Sequence, residues 1–269
     1  MSEIAVRKAD KGKKVKCIWE HNGPDSLIYS AEFIGAFTRG SSKEIALSKM
    51  GQEIRSYLRW RTAGESGAVS SISEINVEAK TGDDVESNAE INTEIIQESS
   101  VDLNVADADS DVIFDEEKQP LSMDEYLELK RLALKSAADF LRLYESIPDK
   151  DDSCVPGRKT FYGAVPRTAR EMYEHTKNVN SYYFGEINVE ADNEGTILAC
   201  REAGFKELEK CENFLENPVI EGSYGEMWSL RKVLRRFIWH DRIHAKAMYR
   251  MAVKTFAGTE IPDVFCFEH

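Results

Sequence analysis

The acidic charge of this chain is concentrated in one stretch, and that restricts how the chain can fold. Residues 63–119 carry sixteen Asp or Glu against only Lys80 and Lys118, a local charge of −14 in a chain of net −13, so the remaining residues sum to +1. The stretch has a single aromatic residue, Phe114, and is dense in Ser, Asn, Asp and Glu. Such a composition buries too little apolar area to offset chain entropy. The sequence therefore reads as three pieces: a small module at 1–62, an acidic linker at 63–119 and a larger domain at 120–269. Most of the linker is expected to be a mobile, partly disordered tether. Ser73–Ala79 and Asn92–Val105 alternate polar residues with Ile, Val and Leu at a period of two, which makes them candidate edge strands on a neighbouring domain.

Of all 269 residues, 42% are apolar and 10% aromatic, enough for one or two packed cores and incompatible with a wholly disordered protein. No run approaches the roughly 20 apolar residues that span a bilayer, and the Lys-rich start lacks the apolar stretch of an export signal. Five widely spaced cysteines without a C-x-x-C pair argue against a disulfide framework and a cysteine zinc site. A reducing, cytoplasmic setting and no membrane partner are expected. The acidic stretch disfavours nucleic acid, and Lys8, Lys11, Lys13, Lys14 and Lys16 read as a solvated terminus without interleaved aromatics. No phosphate-binding loop, dinucleotide fingerprint or G-x-S-x-G elbow is present, which leaves little weight for nucleotide cofactors or serine hydrolase chemistry.

The first piece reads as βββα. Val15 to Trp19 alternates, Ser26 to Ile34 is apolar and aromatic, Gly35 permits a bend, Ala36 to Thr38 is short, and Gly40 turns into a helix. Ser41 and Glu44 have capping-box spacing, followed by a stripe of Ile45, Leu47, Met50, Ile54 and Leu58 to about Trp60. This order, with the run from Phe33 through Gly35, Gly40 and Ser41 to Leu47, resembles the HicB-like antitoxin domain over about 50 residues. The resemblance implies an interaction module with a protein partner; the DNA-binding tail usual in that family is not evident here.

The last 150 residues read as four helices separated by Gly, Pro and Asp breaks. A second capping box, Ser122 to Glu125, opens a helix that stops at Ile147-Pro148. The others are expected over Arg167 to about Ile187, Glu194 to Leu215, and Tyr224 to about Phe256. The fold class is thus a multidomain α+β chain ending in a four-helix bundle.

Five histidines occur: His21, His175, His240, His244 and His269. His240 and His244 lie four apart, so on a helix they are about 40° apart around the axis and about 6 Å along it. Two imidazoles at that spacing can converge on one ion. His175 has Met172, Val179 and Tyr182 as helical neighbours, on what reads as the inward face, and it supplies a third. Three imidazoles leave a position open for water or substrate, where a structural zinc site is normally closed by four ligands. The bland alternative is that these are hydrogen-bonded core histidines. His21 and His269 read as surface residues.

The helix order, the lone histidine in the second helix and H-x-x-x-H in the fourth resemble the DinB-like superfamily of metal-binding four-helix bundles, over residues 122–256. That resemblance implies His175, His240 and His244 as ligands of a divalent metal ion, nickel or zinc. It implies a metal-dependent thiol S-transferase or hydrolase acting on a small molecule, with a low-molecular-weight thiol as co-substrate and a homodimer as one assembly. The competing class is a non-enzymatic regulatory, antitoxin-like protein acting through the first module. His240 to His244 also reads as a degraded H-E-x-x-H motif in which Asp241 replaces the catalytic Glu. Its shorter carboxylate and the upstream third histidine make a peptidase the weaker reading; Asp241 either pairs with Arg236, Arg242 or Lys246 or orients an imidazole. Tyr173, Tyr182, Tyr183, Tyr249 and Arg170 are at positions that can line a pocket, although aromatic residues at helical spacing are more often core.

Overall fold

The computed structural model describes residues 14–63, 91–160 and 163–267. Ser73–Ala79, Lys8, Lys11, Lys13 and His269, singled out above, lie outside them. The described chain is mixed α+β, with a small N-terminal sheet and five α-helices in the order β1 (Val15–Asn22), β2 (Asp25–Ser30), β3 (Phe37–Gly40), α1 (Lys43–Thr62), β4 (Thr93–Ser100), α2 (Met123–Ser146), α3 (Ala169–Gly185), α4 (Ile197–Leu208) and α5 (Leu230–Thr255). Two-residue ladders pair Lys159–Thr160 with Gly163–Ala164 and Ile220–Glu221 with Met227–Trp228.

The sheet order is β3-β2-β1-β4, antiparallel from β1 to β3, with β4 parallel to β1. Part of the acidic stretch thus completes the N-terminal sheet. β1 runs past Trp19 to Asn22, which puts His21 on the strand, stacked on Trp19 at 4.2 Å and 3.3 Å from Glu98 of β4. His21 is half-buried there, not in a surface turn.

Both sheet faces are covered, which explains why β2 is buried along nearly its whole length. Val15, Cys17 and Ile28 join the core shared with α1 and the later helices. Ile18, Leu27, Tyr29 and Phe37 pack with Val105, Val112 and Phe114, and with Trp239 of α5. Residues 105–114 therefore belong to a core despite their acidic setting. Buried Glu20 accepts the backbone N–H groups of Asp111 and Val112, both at 3.2 Å. Arg235 of α5 donates to the Val112 carbonyl at 2.9 Å and grips Glu117 at 2.5 and 3.1 Å.

α2 and α3 each pack along α4 and α5. α5 is unusual because every residue from Lys232 to Arg242 is buried, so that part of the helix is enclosed all round. Its buried cations are met by acids from elsewhere: Lys232 and Arg236 by Glu226 at 2.9 and 3.2 Å, Arg235 by Glu117, and Arg242 by Glu53 at 2.7 Å. α1 closes onto the helices through Trp60, which donates to Asp139 at 2.8 Å and stacks on Phe265 at 5.5 Å. Gly35 adopts φ +96°, and a Cβ there would lie 2.4 Å from Ile238 of α5. The bend is also a point of close approach.

Three boundaries differ from the sequence reading. The cap of α1 is Ser42, accepting from Ile45 N–H at 3.3 Å, so the helix starts one residue late; Ile45 is exposed, while Tyr57 and Trp60 are buried. α4 stops at Leu208, with Asn213 and Asn217 in left-handed conformations beyond it. α5 starts at Leu230 on the Ser229 cap because Tyr224, at φ +62°, turns the Ile220–Trp228 hairpin. Among the described residues no helix is long and apolar enough to cross a membrane, and all five cysteines are free.

Candidate metal centre

α3 is fixed at its start by a capping box, Thr168 with Glu171. Two turns on, it presents His175 at the mouth of a cleft. α5 supplies His240 and His244 from one face, as the four-residue spacing requires. The ring centroids lie 4.5 Å apart for His240–His244, 4.6 Å for His175–His244 and 5.1 Å for His175–His240. One nitrogen from each ring lies within 4.8 Å of the other two. Imidazole nitrogens about 2.0 Å from a tetrahedral zinc stand about 3.3 Å apart, so modest ring rotations would bring all three onto a shared ion. His175 is exposed at the rim, His240 buried and His244 half-buried.

The electrostatics keep these rings neutral. Burial pulls the His240 pKa well below the usual value, and the nearby His244, His175, Arg236 and Arg201 push it the same way. His244 is drawn down to about 3 by burial, then by His175 and Arg39, and His175 is lowered by loss of water around its ring. Neutral imidazole is the form that binds a metal. His240 Nδ1 is also buried without a hydrogen-bond partner, a deficit that coordination or a ligand donor would relieve. The donor set therefore suits a nitrogen-preferring divalent ion such as zinc or nickel.

The rings open into a cleft of about 650 Å³, in the range of small-molecule sites. Its floor is α5, with Arg236, Trp239 and Ile243 beside the histidines, and Tyr183 of α3 flanks it. The opposite wall comes from residues 102–110, where Asp102, Asp107 and Asp109 supply acidic groups. Arg158, just ahead of the Lys159–Thr160 strand, pairs with Asp107 of this wall at 2.8 Å. Arg236 is held by Glu226 and lies 5.0 Å above Trp239 and 5.7 Å above Tyr183. Its Nε is buried and unpartnered, so a fixed cation with a spare donor stands beside the imidazoles.

Of the five candidate pocket residues, only Tyr183 lines the cleft. The Tyr173 hydroxyl accepts from Ile197 N–H at 3.0 Å, Tyr182 packs edge-on against Trp228, Tyr249 is buried in the main core, and Arg170 is paired with Asp151 at 2.7 Å. Asp241 does not line the cleft either. Its carboxylate accepts from Arg201 of α4 at 2.5 and 3.1 Å and from Ser136 of α2 at 2.6 Å. None of the partners expected for it is used, and it is not placed as a base beside the histidines. Arg236 could have been found from sequence, since positions 236, 240 and 244 repeat at the helical spacing. The 102–110 wall carried no such signal.

Compared with protein-family models, curated proteins and solved structures, the chain has no match.

Proposed function

We propose that the protein binds a divalent metal ion, nickel or zinc, through His175, His240 and His244, and uses it in thiol transfer or hydrolysis on a small molecule. In this reading α2 to α5 form a DinB-like four-helix bundle, and the chain works in a reducing, cytoplasmic setting. The observation that carries it is the convergence of three neutral imidazoles, from two helices, on a cleft large enough for a substrate. The ion would act as a Lewis acid that lowers the pKa of a thiol or water at its open position. The protein's own groups bind and orient: Arg236, immobilised by Glu226, offers a donor to an anionic group of the substrate. Trp239, Tyr183 and Ile243 supply apolar contact and exclude water.

Elemental analysis of the purified full chain, with His175→Ala and His240→Ala beside it, tests the ion and its ligands together. About one equivalent of metal is expected in the parent, and loss of one imidazole is expected to weaken the site by at least the roughly ten- to hundredfold that removing an outer-shell partner costs. A metal-free parent that also fails to take up nickel or zinc on titration ends the metal reading. Metal-loaded protein that consumes no low-molecular-weight thiol against standard electrophiles, and hydrolyses no esters or amides, ends the catalytic one.

A further inference from the structure

A second pocket, sharing no lining residue with the histidine cleft, lies where β3, α1 and the C-terminal half of α5 meet, with a volume of about 620 Å³. Arg39, Lys49, Lys246 and Arg250 face it, against two acids, Asp25 and Glu53. One of those acids is already engaged, since Glu53 accepts from buried Arg242 at 2.7 Å as well as from Lys246 at 3.3 Å. Two of the other cations are held in place by backbone carbonyls rather than by acids. Lys49 donates to the Arg39 carbonyl at 2.7 Å, and Arg39 donates to the Ala106 carbonyl at 2.8 Å. Arg250, exposed at the rim, forms no ion pair among the described residues. A pocket with excess positive charge in a chain of net −13 is the reverse of what composition alone would distribute.

A separate observation also points to a ligand. Thr38 lines the same pocket, is only 6% exposed, and its hydroxyl has no hydrogen-bond partner. A buried hydroxyl left unpaired costs free energy that an incoming acceptor oxygen would recover. Gly40 and Ser41, just ahead of the α1 cap, complete the rim, so the positive end of a 20-residue helix dipole adds to the same field.

We propose that this pocket binds a small polyanion, a molecule bearing a diphosphate or several carboxylates, at a site separate from the histidines and independent of the metal reading. Its volume fits a compact small molecule, and four flexible or forked cations with a hydroxyl can meet several oxygens at once.

The test is calorimetric titration of metal-stripped full-length protein with inorganic pyrophosphate and, separately, with citrate. One saturable site is expected for at least one of the two, and their ratio tells phosphoryl from carboxylate recognition. Arg250→Gln and Lys49→Gln change exposed side chains and leave the fold intact; each is expected to weaken binding about tenfold. Thr38→Val is expected to weaken it less, and His175→Ala to leave it unchanged. No saturable binding of either anion, binding by both charge variants as tight as by the parent, or loss of binding in His175→Ala would each overturn the proposal; the last would place the anion at the histidines.

Discussion

His244, drawn down to about 3, makes the metal-free protein sensitive to mild acid. Its imidazole takes up a proton near pH 6.5 once the chain unfolds. Between those values the unfolded state binds more protons than the folded one, so stability falls as pH drops from about 6.5 toward 3. Stripped of metal, the protein should show a lower urea midpoint at pH 5 than at pH 7, and His244→Leu should flatten that slope; equal midpoints in the parent would contradict the buried, neutral state. At Gly35 a methyl group would enter the space held by Ile238 while the backbone stays in the left-handed region. Gly35→Ala is expected to cost about 2–4 kcal/mol, strain and overpacking together, read as a shift in the denaturant midpoint.

At the scale of elements, α5 is held between acids that come from other parts of the chain. The Arg201–Asp241 pair joins α4 to α5 with both side chains fully buried. Removing one partner leaves an uncompensated buried charge, so Arg201→Met is expected to cost about 3–5 kcal/mol, whereas pairing it with Asp241→Leu should recover most of that loss. A double-mutant cycle by chemical denaturation measures it. Where a helix begins at a Ser or Thr cap or ends at Ile-Pro, its limits were legible within a few residues, as for α2 and α3. The C-terminal end of α4 and the start of α5 were not: α4 stops at Leu208, well before the Asn217-Pro218 pair that marks a break in the sequence, and Tyr224, a non-glycine residue at positive φ, turns the chain ahead of α5. Nor was the burial of Lys232–Arg242 in α5, since Lys232, Arg235, Arg236 and Arg242 look solvated until their distant partners are known.

At the scale of the molecule, the acidic stretch is divided in its role. Its described part adds β4 to the sheet, lays Val105, Val112 and Phe114 on the sheet's second face and walls the histidine cleft. Composition argued for a tether because it counts charges without knowing that Glu117 has Arg235 waiting. Glu117→Gln should weaken this clamp, and amide hydrogen exchange at 105–112 should speed up by about tenfold or more while the centre of α2 stays protected; unchanged exchange there would mean the apolar contacts alone hold the wall. His240 and His244 were legible because a four-residue interval on one helix is local information, and His175 because it is the lone histidine of another helix. The wall facing them depends on chain segments that meet only after folding.

Of the four tryptophans, Trp239 alone lines the histidine cleft, its indole wedged between Arg236 and the aromatic side of the sheet. A ligand seated against α5 in the cleft is expected to alter the surroundings of that one fluorophore. The protein thus carries its own optical gauge of occupancy, readable in the emission spectrum without any label.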